Sequence, residues 1–250
     1  MWERISEAPQ AWHARSCVGE DVTARLLALA NISSTTAGAV EPGAAIIHRI
    51  AAQDDPAVRL VRKRMATRAG LPLTRSEPLF VLEYRPGMSC DRGQAMPHHD
   101  WNCAEGSPDD PTDAAVGCSE LRLVTSLLYL NDVPPEWGGS TRLPRAGVQV
   151  PARRGSCLLW YNARRRAGGG WLKEERAQHF GQCLRAPEGV SGRDARKLVA
   201  VQWLQASDLA AVGDDECEED PEWCEDVEAA RHAAAADAEE ALLGAVKAEL

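Results

Sequence analysis

From residue 75 onward the sequence is a series of short β-rich runs that are separated by glycine and proline. Runs of this kind, bounded by turn residues, are typical of β-strands. The segment lacks the long alternating helices that a parallel α/β sheet requires, so it favours an antiparallel barrel or jelly roll. The predicted strands are Leu79–Tyr84, Leu121–Leu130, Val148–Val150, Ser156–Tyr161, His179–Leu184 and Leu198–Leu204.

The first third of the chain carries helical signals instead. Residues 20–30 and 43–53 are rich in alanine and leucine with apolar spacing that predicts two helices. A third helix is marked at both ends, because Asp54-Asp55 can cap it, Pro56 suits its first turn and Gly70 can end it. We therefore predict an α+β fold in which N-terminal helices pack against a double-stranded β-helix, or jelly-roll, core.

Charge is distributed unevenly along the chain. The formal net charge is −9, yet residues 206–250 carry fifteen acidic side chains against Arg231 and Lys247, a net charge of −13. The preceding body therefore has a net charge of +4. We predict an N-terminal helical support region (1–74), a jelly-roll core (75–205) and an acidic, partly helical tail (206–250).

The same features argue against several classes of protein. A strongly acidic tail and an aspartate-rich loop at Asn102–Gly117 do not suit a phosphate backbone, so we expect no nucleic-acid partner. No apolar run is long enough to span a bilayer, and the first residues do not form a signal peptide. This predicts a cytoplasmic protein, or a secretory one if the sequence is truncated. Eight cysteines include no Cys-x-x-Cys pair, which excludes a zinc ribbon and leaves disulfide pairing open.

One short segment, Pro97-His98-His99-Asp100-Trp101, carries metal-binding chemistry. His98 and Asp100 are two residues apart, which places both side chains on one face of an extended strand. With an imidazole from a distant strand they would form a 2-His-1-carboxylate triad, which leaves positions on Fe(II) open. His99 is out of phase and is expected to point away, although a shifted register would exchange the two histidines. Taken alone, the doublet fits a packed histidine better than a ligand.

Further segments accompany this doublet in a characteristic order. They are Phe80–Gly87, which contains Tyr84-Arg85-Pro86-Gly87, then Leu123–Val133, Gly138-Gly139-Ser140-Thr141-Arg142-Leu143-Pro144, Pro151–Trp160, His179-Phe180-Gly181, and Lys197 six residues before Trp203. In order and largely in spacing, residues 43–204 resemble the prolyl 4-hydroxylase branch of the 2-oxoglutarate/iron(II) dioxygenases. The segment between His179 and Lys197 is several residues longer than is usual in that family.

The resemblance implies the cofactors and their ligands. His98, Asp100 and His179 would bind Fe(II), and Lys197 would bind the distal carboxylate of 2-oxoglutarate. Arg193 and Arg196 are alternative anchors for that carboxylate, given the longer preceding segment. Hydroxyl donors to the same carboxylate would be Tyr84 and either Thr141 or Thr125. Ascorbate is implied as the reductant that rescues the iron after uncoupled turnover.

The implied activity is oxidative decarboxylation of 2-oxoglutarate by dioxygen, coupled to hydroxylation of an acceptor. The favoured acceptor is a prolyl residue in a proline-rich polypeptide, because an extended polyproline segment needs little ordering to bind. The loops Asn102–Gly117 and Arg164–Gly170 are suited to flank such a peptide, with Trp101 and Trp171 as candidate aromatic walls. Two alternatives stay open: the same chemistry on another acceptor, and a catalytically silent jelly-roll binding module.

Overall fold

The structure is a computed structural model, which describes residues 1–30, 45–86, 97–101, 121–165, 171–185, 187–190 and 195–205. The predictions for the loop Asn102–Gly117, for residues 166–170 and for the acidic tail lie outside the described residues. Among the described helices, none has the length and apolar character needed to cross a membrane.

Seven strands form one large sheet in which every neighbouring pair is antiparallel. From one edge to the other the strands are β1 (Trp2–Glu7), β2 (Gln10–Ala14), β8 (Cys157–Tyr161), β5 (Arg122–Tyr129), β12 (Lys197–Gln205), β4 (Phe80–Tyr84) and β3 (Ile46–Arg49). Strand β12 therefore lies near the middle of the sheet, between β5 and β4.

Five shorter strands form two smaller units. A three-stranded sheet contains β11 (Phe180–Gly181), β6 (Thr141–Leu143) and β7 (Val148–Val150), and a two-stranded ribbon contains β9 (Ala163–Arg165) and β10 (Trp171–Lys173). An isolated antiparallel bridge joins His98 to His179, immediately before β11. The antiparallel β core predicted from the short runs is therefore confirmed.

Helices occur in two of the three segments for which helices were predicted. Helix α1 spans Glu20–Leu29 and helix α2 spans Pro56–Ala69. The Asp55 side chain caps α2 by accepting a hydrogen bond of 2.9 Å from the backbone N–H of Ala57. Gly70 ends the helix with a φ of 60°, in the left-handed region that glycine adopts without steric cost.

The helix predicted at residues 43–53 is wrong, because Ile46–Arg49 form strand β3 at the edge of the large sheet. The hairpin of β1 and β2 was not predicted either. A strand that pairs with an existing sheet edge gains hydrogen bonds and packing that local helix propensity does not register. The division of the chain at residues 74 and 205 stays a prediction, although β1, β2 and β3 pair with strands beyond residue 74 or with one another.

The predicted strand boundaries agree closely in five of the six runs, which became β4, β5, β7, β8 and β12. The sixth, His179–Leu184, is shorter, since only Phe180–Gly181 form a strand. Arg164 and Arg165 were predicted to begin a loop, but they belong to strand β9 (Ala163–Arg165).

Apolar side chains pack on both faces of the large sheet. Leu198 of β12 belongs to the cluster that includes α1 and α2, whereas Val199 belongs to the cluster on the opposite face, toward the three-stranded sheet. Because side chains alternate along a strand, Lys197 and Trp203 share the face of Val199. The large sheet and the small sheet thus enclose an interior into which both side chains project.

A disulfide joins Cys17, just after β2, to Cys157 at the start of β8. The two residues are 140 positions apart in sequence and both are buried in the cluster beneath α1. Next to the bridge, the backbone N–H of Cys17 donates to the carbonyl of Gly155 at 2.7 Å. The N-terminal hairpin is therefore fixed to the core both covalently and by backbone hydrogen bonds.

Candidate active site

Three potential metal ligands converge in the interior between the two sheets. The His98–His179 bridge is closed by two backbone hydrogen bonds, of 3.0 and 2.9 Å, which set the two imidazoles side by side. Nε2 of His98 lies 3.8 Å from Oδ1 of Asp100, and Nε2 of His179 lies 3.5 Å from Oδ2. All three ligand atoms lie within 4.8 Å of one another. The structure therefore brings together the three residues expected to bind iron.

The Asp100 carboxylate is held by two donors. Thr125 donates its hydroxyl to Oδ2 at 2.6 Å, and Trp203 donates its indole N–H to the same oxygen at 2.9 Å. Burial alone would raise the pKa of Asp100, but the neighbouring His179 and these two hydrogen bonds outweigh it and lower the pKa. The carboxylate is therefore ionised at neutral pH, as metal binding requires.

His179 is oriented from its outer side. Its Nδ1 lies 3.0 Å from the carbonyl oxygen of Ala177, an acceptor, so Nδ1 carries the proton and Nε2 presents its lone pair to the cavity. Burial lowers the pKa of His179 below its ordinary value, which keeps the ring neutral. The indole of Trp160 packs against it, with 4.6 Å between ring centroids.

His98 and His99 are adjacent in sequence but face different surroundings. His98 is 57% exposed, so the cavity opens to solvent at this ligand. His99 points elsewhere, because its Nε2 lies 3.2 Å from the carbonyl oxygen of Glu175. The register that places His98 rather than His99 at the cavity is the one expected from the spacing with Asp100.

A buried lysine forms the other end of the cavity. Lys197 is only 3% exposed, and its Nζ donates to the hydroxyl of Thr141 at 3.2 Å. Among the described residues, no carboxylate lies within salt-bridge distance of this ammonium group. Burial lowers the pKa of Lys197 to about 7, because water is removed from the charged form without a counter-anion to replace it. An anionic ligand would supply the missing partner.

Two tyrosine rings lie near the same ammonium group. Nζ of Lys197 lies 5.2 Å from the ring centroid of Tyr84 and 5.5 Å from that of Tyr129. The hydroxyl of Tyr129 donates to Thr141 at 2.8 Å. Burial raises the pKa of Tyr84 to about 12, so its hydroxyl stays protonated and can donate. Tyr84 and Thr141, predicted to bind the same carboxylate as Lys197, thus both lie beside Lys197.

Some expectations for the carboxylate anchor change. Thr125 bonds to Asp100, at the metal end of the cavity, so it is not positioned as a donor beside Lys197. Nη1 of Arg196 lies 4.0 Å from Oε1 of Glu83, a buried residue on the face of β4 that packs toward the helices. Arg196 therefore does not line the cavity. Arg193 lies outside the described residues. Sequence reasoning missed Tyr129, which lies two residues after Leu127 on β5 and so shares its face, in the apolar cluster next to Lys197.

No protein-family model matches the chain. The chain is 35% identical over 109 residues to prolyl 4-hydroxylase subunit alpha-2 of Gallus gallus, covering 44% of this chain and 18% of that protein. It is 30% identical over 146 residues to prolyl 4-hydroxylase subunit alpha-1 of Mus musculus, covering 57% of this chain and 25% of that protein. The matches thus span a quarter or less of these relatives.

A solved structure shows the same fold. The viral collagen prolyl hydroxylase of Paramecium Bursaria Chlorella virus-1, solved as its 2OG complex, superimposes with a TM-score of 0.56 over 79% of this chain and 96% of that one, at 15% identity. The chain is therefore similar to prolyl 4-hydroxylases in sequence over part of its length, and to a viral collagen prolyl hydroxylase in fold. The likeness in fold confirms the jelly-roll core, within which the two histidines, the aspartate and the buried lysine lie along one cavity.

Proposed function

We propose that this prolyl 4-hydroxylase-like chain is a 2-oxoglutarate- and Fe(II)-dependent dioxygenase that hydroxylates prolyl residues. One observation carries the proposal: two imidazoles and a carboxylate converge at one end of a cavity whose other end is a buried lysine without a carboxylate partner among the described residues. The imidazoles and the carboxylate suit a metal ion. The lysine suits the free carboxylate of a keto acid that chelates that metal.

The donor set fits ferrous iron. Two neutral imidazoles and one ionised carboxylate form the facial triad of non-haem Fe(II) oxygenases, which leaves coordination positions for other ligands. Burial keeps the imidazole of His179 neutral, and the groups around Asp100 keep its carboxylate ionised. His98, Asp100 and His179 would hold the iron, which when bound supplies redox activation of dioxygen.

The remaining side chains bind and orient the keto acid. Lys197 would pair with its distal carboxylate, while the hydroxyls of Tyr84 and Thr141 donate to the same group. Apolar side chains such as Leu127 and Val199 line the middle of the cavity and exclude water. Each turnover converts 2-oxoglutarate, dioxygen and a C–H bond into succinate, carbon dioxide and a C–OH group. Ascorbate is the proposed reductant after uncoupled turnovers.

We predict that Lys197→Ala raises the Michaelis constant for 2-oxoglutarate about tenfold to a hundredfold. A charge-assisted contact of this kind contributes about 1.5–3 kcal/mol, and the variant removes it without touching the three metal ligands. Succinate formation measured against 2-oxoglutarate concentration tests this, together with Fe(II) affinity, which should change less. Lys63→Ala, in helix α2, is the matched lysine control. An unchanged Michaelis constant would move the anchor elsewhere, and Arg193→Ala is then the next variant.

We also predict that 2-oxoglutarate binds more weakly as the pH rises from 6 to 9. The pKa of Lys197 is lowered to about 7, so the unliganded lysine is charged below that pH and increasingly neutral above it. A neutral amine attracts the carboxylate less, hence the loss of affinity. Anaerobic calorimetry with Co²⁺ in place of Fe(II) measures the dissociation constant. In Lys197→Arg the cation persists at every pH, so this part of the pH dependence should disappear. Its persistence there would assign it to another group.

The prolyl substrate is the finer part of the proposal. Its support is the sequence similarity to prolyl 4-hydroxylase alpha subunits. Trp101 and Trp171, the candidate aromatic walls, are both partly buried and pack against the same apolar cluster. The cavity opens at the exposed His98, so an extended polypeptide can approach the metal end from solvent.

We expect a proline-rich peptide to gain one oxygen on proline when it is incubated with the enzyme, Fe(II), 2-oxoglutarate and ascorbate. An otherwise identical peptide with alanine in place of proline is the control, and both are analysed by mass spectrometry. Succinate formation with neither peptide oxidised would retain the dioxygenase and replace prolyl residues by another acceptor. Peptide binding without succinate would instead favour a binding module.

A further inference from the structure

A buried chain of hydrogen bonds leads from strand β8 to Asp100. The indole Nε1 of Trp160 donates to Oδ1 of Asn162 at 2.9 Å, and Nδ2 of Asn162 donates to the hydroxyl of Thr125 at 2.8 Å. Thr125 in turn donates to Oδ2 of Asp100 at 2.6 Å. Trp160, Asn162 and Thr125, which lead to Asp100 in this hydrogen-bond chain, are each at most 1% exposed. Water therefore does not compete for these bonds.

The direction of the chain follows from the donors available. An indole N–H is only a donor, so the amide oxygen of Asn162 must face Trp160 and the amide nitrogen must face Thr125. The same nitrogen also donates to the carbonyl of Arg122 at 3.1 Å, which fixes the amide a second time. A hydroxyl has one proton. Because Thr125 accepts from Asn162, its proton is directed to Asp100.

The two oxygens of Asp100 are consequently not equivalent. Oδ2 accepts from both Thr125 and Trp203, at 2.6 and 2.9 Å. Oδ1 faces Nε2 of His98 at 3.8 Å. His179 does not compete for Oδ2 as a donor, because its proton lies on Nδ1, toward Ala177.

We propose that Thr125 and Asn162 are positioning residues that restrict Asp100 to binding the metal through Oδ1 alone. This inference rests on the proposed function, whose metal site it refines. A carboxylate free to rotate can offer both oxygens to a metal and occupy two positions. With Oδ2 held by two donors, the other coordination positions stay available to 2-oxoglutarate and dioxygen.

Trp160 connects the two buried ligands. Its ring packs against the imidazole of His179 at 4.6 Å between centroids, while its N–H begins the chain that ends at Asp100. One indole thus contacts one ligand directly and orients the other through Asn162 and Thr125.

The first test is Thr125→Val, which removes the hydroxyl at nearly constant volume. We expect Co²⁺ to bind about 10 to 100 times more weakly, the usual effect of losing a hydrogen bond to a metal ligand. Anaerobic titration measures the affinity, and the Co²⁺ absorption spectrum should change because the carboxylate keeps only the Trp203 donor and is held less firmly. Thr125→Ser keeps the hydroxyl and should restore both properties. If the valine variant does not fold, Thr125→Ala makes the same comparison.

A double-variant cycle tests the chain itself. Asn162→Leu should weaken Co²⁺ binding, because the Thr125 hydroxyl is then free to turn away from Asp100. Since Asn162 acts through Thr125, Thr125→Val combined with Asn162→Leu should bind Co²⁺ as Thr125→Val does alone. Additive losses would overturn the chain as the route of the effect.

Ser126→Ala is the matched control on the same strand. Its hydroxyl donates to the backbone carbonyl of Gln202, away from the cavity, so Co²⁺ affinity should be unchanged. If the unmodified protein binds no Co²⁺ or Fe(II), the proposed function fails. If it binds metal and Thr125→Val binds equally well with the same spectrum, only the positioning role fails.

Discussion

Replacing Asp100 by alanine is expected to abolish the conversion of 2-oxoglutarate to succinate. The substitution removes the one anionic ligand among the three groups that converge in the cavity, and two imidazoles alone bind iron weakly at an incomplete site. His98→Ala and His179→Ala should have the same outcome, because each removes one of the three ligands. Succinate is measured after incubation with Fe(II) and 2-oxoglutarate, and anaerobic Fe(II) binding is measured in parallel.

His99→Ala is the control for this series. Its imidazole contacts the Glu175 carbonyl rather than the cavity, so the variant should retain both iron binding and succinate formation. Full iron-dependent activity in Asp100→Ala would overturn the triad. Loss of iron in His99→Ala with retention in His98→Ala would show instead that the strand register exchanges the two histidines.

Residue alternation made much of the site predictable from sequence. The spacing of His98 and Asp100 placed both on one strand face, and the motif order supplied His179 and Lys197 as partners. All four line one cavity in the structure. The pairing of His98 with Asp100 is predictable because a two-residue period is local and needs only an extended segment; His98 itself forms an isolated bridge with His179 and lies outside the named strands.

Other features depended on contacts that no local pattern encodes. Ile46–Arg49 lies within residues 43–53, for which a helix was predicted, and its pairing with β4 decides its conformation. The chain from Trp160 through Asn162 to Thr125 joins β8 with β5, whose pairing sets Trp160 opposite Thr125. Asn162 was not a candidate, since a single amide near a strand end carries no sequence signal of its own.

The disulfide was equally beyond the sequence, because eight cysteines allow many pairings. We predict that removing it, by Cys17→Ala or Cys157→Ala, lowers the free energy of unfolding by about 2–5 kcal/mol. The bridge closes a loop of 140 residues, and the loss of unfolded-chain entropy grows with the length of the closed loop. For a chain of this size that is a decrease in melting temperature of about 5–20 °C, which circular dichroism under non-reducing conditions measures.

The two single variants and the double variant form the control. Each single substitution already breaks the bridge, so the double variant should be little less stable than either one. If the losses instead add, the two cysteines stabilise the protein by packing in the cluster beneath α1, independently of a bond between them. Non-reducing peptide mapping distinguishes these cases directly, since the bond predicts one linked peptide that contains both Cys17 and Cys157. The bridge ties β2 to β8, the strand that carries Trp160. Its loss should therefore weaken Co²⁺ binding, but by less than Thr125→Val does, because the bridge supports the strand and not the metal ligand itself.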